Sequence, residues 1–247
     1  MQFEPTQIGN PENLTIKQHP FPVASILRFV GADGRVSVIF PRSGKRGRHY
    51  PNDPMFYAKR VWDERAERGY MKEVEDNFQI LADRIVLGLS DVDRAASQTI
   101  SRFLALWSLR HHFSLSPSPD HVLWGVTHES LPKGQQETLE KRWAAFLLPG
   151  NRMPGRMISG LLIQTRIDEI VRQLESHCWG VLRALGGEFL VPDTFGPSAI
   201  VPVSPTVCLA CGLESQTLSD ADVPRINRLA RLSANRYLFA RDLDQCP

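Results

Sequence analysis

His19 lies in "KQHPFPVASILRF", between Gln18 and Pro20 and directly before a run of apolar residues. An unperturbed imidazole titrates near neutrality, which makes His19 a candidate general base. A histidine ahead of a proline at the mouth of a buried element also serves to hydrogen-bond the backbone and fix the chain's course. Arg110, His111 and His112 close an apolar stretch and invite a ribonuclease reading. The helical ribonuclease motif, an arginine four to six residues before a histidine, is not met: Arg102 lies nine residues before His111, and Arg110 adjoins it. Cations in that position complement the helix macrodipole without any chemistry. Asp193 and Glu188 are carboxylates of the sort that bind metal in nucleases with a Pro-Asp and then a Glu-x-Lys signature. That pattern needs a lysine shortly downstream, and none follows Lys141.

Cys208-Leu209-Ala210-Cys211 has the spacing of half a zinc site, but zinc takes about four ligands and the chain holds no second pair of this kind, only Cys178 beside His177. "TVCLACG" reads better as a buried strand whose cysteines are small hydrophobes, so no metal is expected. "RSGKRGRH" presents Arg42, Lys45, Arg46 and Arg48, the nucleic-acid-binding candidates, to phosphate groups. A charged hairpin tip is more often simply solvated. Glycine-rich nucleotide loops, a nucleophile elbow and a zinc-protease helix are all missing, and no cofactor is expected.

The elements that position these residues come from a chain of ordinary globular composition, 42% hydrophobic and 23% charged, with room for a substantial core. A net charge of +2 gives no overall preference for nucleic acid or anionic membrane, so any such binding has to come from a local patch. The four cysteines are too few for a secreted disulfide framework. "MQFEPTQIGNPENL" lacks the pattern of a signal peptide and no run reaches membrane-span length, so a cytoplasmic protein with no membrane partner is expected.

"VASILRFV", "GADG" and "RVSVIFP" predict a hairpin over 23–40 with Asp33-Gly34 in the turn. Apolar residues then fall at three- and four-residue steps, predicting a helical region over 55–185. Within it Gly69 separates two helices, a third runs from Asp91 to Phe113, one or two more from His121 to Leu148, and a last one carries on to the Gly186-Gly187 stop. Strand patterns return in "EFLVP", "SAIVPV" and "TVCLACG"; a helix opens at Asp222 and Pro224, and "RYLFA" closes the 188–242 region as a strand. The expectation is a single α+β domain over 1–247, with the N-terminal hairpin and C-terminal strands in one mixed sheet around a helical middle.

With these elements in place, His19, Pro22, Ile26 and Phe29 followed by "GADGRVSVI" resemble the opening of the bacterial domain-of-unknown-function family 4238. Its members continue with an acidic helix ending in an apolar-Glu pair, here Val74-Glu75, and an apolar helix closing on arginine, here Arg110. A Ser-Asp-Asn-Pro turn follows, here "PDTFGP" with Asp193 retained and its flanks altered, then a Pro-x-Ser-Pro motif, here "PVSP", and an Asn-containing last helix, here Asn227. The resemblance touches most of the chain and brings no established activity with it. The leading expectation is a binding or interaction protein whose partner is a protein or nucleic acid, by association in a mobile-element or defence setting. The alternative is a nuclease or other hydrolase using His19, Glu75, Arg110 and Asp193 as catalytic residues. Arg110 is expected to pair with Glu75, and His19 to meet Glu75 or Asp193.

Overall fold

The computed structural model describes residues 4–126, 130–196, 198–219 and 221–247. Pro22, with φ at −59°, leads into a short helix, α1 (Val23–Leu27), where alternation predicts a strand. Ile26 and Phe29, both fully buried, are three residues apart, so one side of a helical turn carries both to the core. The Asp33-Gly34 turn therefore joins a helix to β2 (Val36–Ile39), and the expected 23–40 hairpin is not formed. β2 pairs downstream instead, antiparallel with β3 (Arg46–His49). Gly44, at φ +67°, supplies the left-handed turn between them. "RSGKRGRH" is thus the turn and second strand of the real hairpin.

β1 (Lys17–Gln18) pairs with β4 (Ala58–Lys59). α2 (Glu64–Arg68) and α3 (Tyr70–Val86) meet at Gly69, the break the sequence predicts. α4 (Arg94–Leu115) starts at Asp93, whose carboxylate accepts the Ala96 N–H at 2.7 Å. The next stretch is less helical than its pattern: β5 (His121–Val122) pairs with β6 (Arg152–Met153), and α5 (Lys133–Lys141) stands alone between them. Residues 127–129 of that stretch, like Pro197 of the "PDTFGP" turn, lie outside the described residues.

α6 (Gly155–Leu174) ends well before Gly186, and the chain turns into β7 (Trp179–Ala184), a correction to the expected helix. Trp179 to Leu182 are buried on both faces, and a Cβ on Gly180 would sit 2.4 Å from the Leu213 carbonyl oxygen, so another chain segment lies flat on this strand. β8 (Val191–Pro192), β9 (Ile200–Ser204), β10 (Val207–Cys211), β11 (Gln216–Leu218), α7 (Val223–Ser233) and β12 (Leu238–Ala240) complete the order.

The α+β class holds, and the two ends of the chain do meet in a sheet: β3-β2-β12-β8, antiparallel throughout. The other C-terminal strands form a second, mixed sheet, β11-β7-β10-β9, in which β11 runs parallel to β7. α3, α4 and α6 pack with them around one continuous apolar cluster. α3 contributes Met71, Val74, Phe78, Leu81 and Ile85 at helical spacing, and Phe78 stacks on Phe103 of α4 with centroids 3.6 Å apart. Burying each large side chain contributes about 1.5–3 kcal/mol. Among the described residues no helix is long and apolar enough to cross a membrane.

Asn227 of α7 ties the C-terminal strands down. Fully buried, it accepts the Leu190 N–H at 2.8 Å and donates to the Glu188 and Pro247 carbonyls at 2.9 and 3.3 Å. Asn227→Ala leaves the Leu190 N–H and the Glu188 carbonyl unpaired, while the Pro247 oxygen keeps Arg231 at 3.1 Å, and an unsatisfied buried group costs about 1–3 kcal/mol. A chemical denaturation midpoint is expected to fall accordingly, and a midpoint within error of wild type would show the clamp to be dispensable.

Candidate functional site

Arg110 projects from the end of α4 into a closed pocket of partners. Its side chain is 1% exposed, Nη1 pairs with Glu75, and Nη2 lies 3.3 Å from Glu67 Oε2. Nη1 also reaches the His19 carbonyl at 3.4 Å, and the guanidinium lies 5.3 Å from the Trp62 ring centroid. Burial by itself disfavours the charge, yet Glu75 and Glu67 hold the Arg110 pKa above its usual value. Burial pushes the Glu67 carboxyl upward against the pull of Arg110.

The expected Arg110–Glu75 pair is present, then, with Glu67 as a second carboxylate. Only hindsight gives Glu67 a signal: it precedes the Gly69 break as Glu75 follows it.

His19 is joined to this cluster through its carbonyl rather than its ring. The ring hydrogen-bonds the Pro51 backbone, packs edge-on against Tyr57 at 5.6 Å, and buries Nε2 without a partner. No hydrogen bond to Glu75 or Asp193 is found among the described residues. Burial, then Arg110 and Lys17, lower its pKa to about 4.

Asp193 stands elsewhere. Its carboxylate accepts the Asn235 and Arg236 N–H groups at 2.8 and 2.9 Å and lies 3.2 Å from His111 Nε2. Its carbonyl accepts the Trp107 indole N–H at 3.0 Å. Glu188 is likewise engaged, by Arg241 and by the Asp242 N–H at 3.1 Å. Cys208 and Cys211, three apart on β10, face opposite sides of the strand, and among the described residues no group of three or more His, Cys, Asp or Glu could hold a metal.

In the basic hairpin, Arg48 is bound to Asp33 and to Ser37 Oγ at 2.7 Å, and Arg46 to Asp244 at 2.8 Å. Arg42 and Lys45 remain as exposed cations at the tip.

An open concavity lies apart from Arg110 and Glu75. It is a cleft of about 310 Å³ whose lining includes Tyr57, Arg60, Ser114, Ser118, Arg156 and Arg236. Behind it Glu140 Oε2 accepts from Arg60 Nη2 at 2.8 Å and from Arg156 Nε and Nη2 at 3.0 and 2.9 Å. Sequence reasoning missed all three, because Arg60, Glu140 and Arg156 belong to separate elements and to no motif. Comparison with protein-family models, curated proteins and solved structures finds no match for the chain.

Two outcomes follow from the cluster. Arg110→Met leaves Glu67 and Glu75 without the cation they share, and breaking a buried pair in this way costs up to about 3–5 kcal/mol, to be read from urea unfolding. For His19, the unfolded ring protonates near 6.5 while the folded ring resists until about 4. Its contribution is therefore complete above pH 6.5 and lost as pH falls toward 4, by up to about 3 kcal/mol. His19→Gln should flatten the fall in melting temperature across that window; an unchanged pH profile would assign the loss to other groups.

Proposed function

We propose that this chain is a cytosolic bacterial binding or interaction protein resembling family 4238, engaging a partner rather than turning over a substrate. One observation carries the reading. The polar groups best suited to catalysis are consumed by internal contacts: Arg110 by two carboxylates, Asp193 by two backbone N–H groups and a histidine. A catalytic group needs a free lone pair or proton within reach of a substrate, and neither cluster offers one in an open cleft. A partner contacted by the exposed hairpin tip would meet Arg42 and Lys45 first.

The hydrolase alternative has one observation of its own. His111 Nε2 faces Asp193, an arrangement that orients a general base, beside a narrow pit lined by Tyr57, Ser114 and Arg236, which also line the cleft.

Thermal melts separate the two. In the binding reading Glu75→Gln, His111→Gln and Asp193→Asn each remove an internal bond to a charged group, worth about 1.5–3 kcal/mol. At about 2–4 °C per kcal/mol for a chain of this size, each melting temperature should drop by several degrees. Residues kept for catalysis tend to sacrifice stability, so a His111→Gln or Asp193→Asn protein that melts at or above wild type would sink the binding reading.

A further inference from the structure

Two cations converge on one accessible carboxylate beside the cleft, and a third reaches the same residue's backbone carbonyl. Arg156 Nη1 and Lys133 Nζ hold the two oxygens of Glu4, and Arg60 Nη1 donates to the Glu4 carbonyl at 3.4 Å. The exposures are unequal: Glu4's side chain is 36% exposed, against 5% for Arg156 and 3% for Glu140. Glu140 bonds Arg60 and Arg156 through contacts that Glu4 does not share, which holds both guanidinium groups in position. Arg60 itself has φ +46°, a left-handed backbone for a long side chain, strain that the surrounding structure imposes. With Glu4 lifted away, three cations face two carboxylates, Glu140 and Glu137. Glu137 lies 3.8 Å from Lys133 Nζ and is shared with the Gln7 N–H at 2.9 Å and the Gln7 side-chain amide at 3.2 Å. Asp120, the remaining acid of the cleft wall, is held by the Gly155 N–H at 2.9 Å and by Arg152.

We propose that Arg60, Lys133 and Arg156 form an oxyanion-binding site in which Glu4 is the resident carboxylate and a small phosphate-bearing ligand its competitor. The inference rests on reading the protein as a binding module. Guanidinium groups held by a second carboxylate present their remaining N–H edge in a fixed direction, as recognition of phosphate oxygens requires. The cleft of about 310 Å³ takes a small molecule and carries a further exposed cation, Arg236, on its lining.

Inorganic phosphate is titrated calorimetrically into wild type and E4Q at constant ionic strength, with chloride as the matched anion. E4Q should bind phosphate about tenfold more tightly than wild type, and adding K133M should reverse the gain. If E4Q melts too low to titrate, E4D takes its place with the same ordering in smaller degree. Equal affinities in wild type and the Glu4 variant, or no loss on adding K133M, would overturn the proposal. A single-stranded oligonucleotide run in parallel separates the two sources of phosphate: weaker binding than phosphate supports a small ligand, and tighter binding overturns that assignment. Among the described residues Glu4, Lys133 and Arg156 form no ion pair with Glu75, His111 or Asp193, so failure here leaves the melting test above untouched.

Discussion

Burying one guanidinium constrains much of this fold. Taking the Arg110 charge out of water costs several kcal/mol unless it is paired and hydrogen-bonded in good geometry. The partners that meet the demand come from separate stretches: the His19 carbonyl after β1, Glu67 on α2 and Glu75 on α3. Gly69 is what lets two carboxylates reach one cation. Its backbone, at φ −94° and ψ −114°, breaks the helix between them, and a Cβ there would fall 2.6 Å from the Arg65 carbonyl oxygen. The course of the N-terminal segment, the α2–α3 bend and the end of α4 are thus tied to a single charge.

The C-terminal third applies the same physics to its own backbone. Its strands are short, and β8 and β12 together span only a few residues. Short strands leave amides and carbonyls unpaired, and buried unpaired groups are costly. Asp193, Glu188 and Asn227 supply the missing partners, each holding backbone N–H groups that no ladder reaches. Residues that look like metal ligands or catalytic acids in the sequence stand, in the fold, where they pair backbone groups that the sheets leave over.

What was legible follows from range. Helical periodicity reports a local property, and it placed α2, α3, α4 and α7, the Gly69 break and the α7 start at Asp222, though not the Asp93 cap of α4. The α+β class and the meeting of the chain ends were also readable, because strand-like runs lie at both ends. Val23–Leu27 was misread because five residues between a proline and a glycine turn hold too few positions to separate a period of two from one of 3.6. β7 was missed because Trp179–Ala184 continues the apolar pattern of α6, and only the close approach of Leu213 to Gly180 distinguishes the two. Among the site residues, Arg110 with Glu75 was legible as an ion pair. The His111–Asp193 contact was not, since 82 residues separate the partners and nothing local marks them.

The two buried ionic clusters differ in how they end, and that difference separates structure from a candidate for binding. Around Arg110 the charges close on carboxylates carried by the neighbouring helices α2 and α3. In the second cluster Arg60, Glu140 and Arg156 form a similar closed core, with side chains 1%, 3% and 5% exposed, but one guanidinium edge is completed by a residue outside it, Glu4. A buried pair that loses a partner is strongly destabilised, whereas a charge at the water boundary can exchange one oxygen ligand for another at little cost. The core around Glu140 therefore needs no ligand to be stable, while its outer edge always needs an oxyanion, from the chain itself or from solution. A site that is rigid behind and exchangeable in front is preorganised for binding, because the ordering of its cations is completed by folding rather than by the ligand.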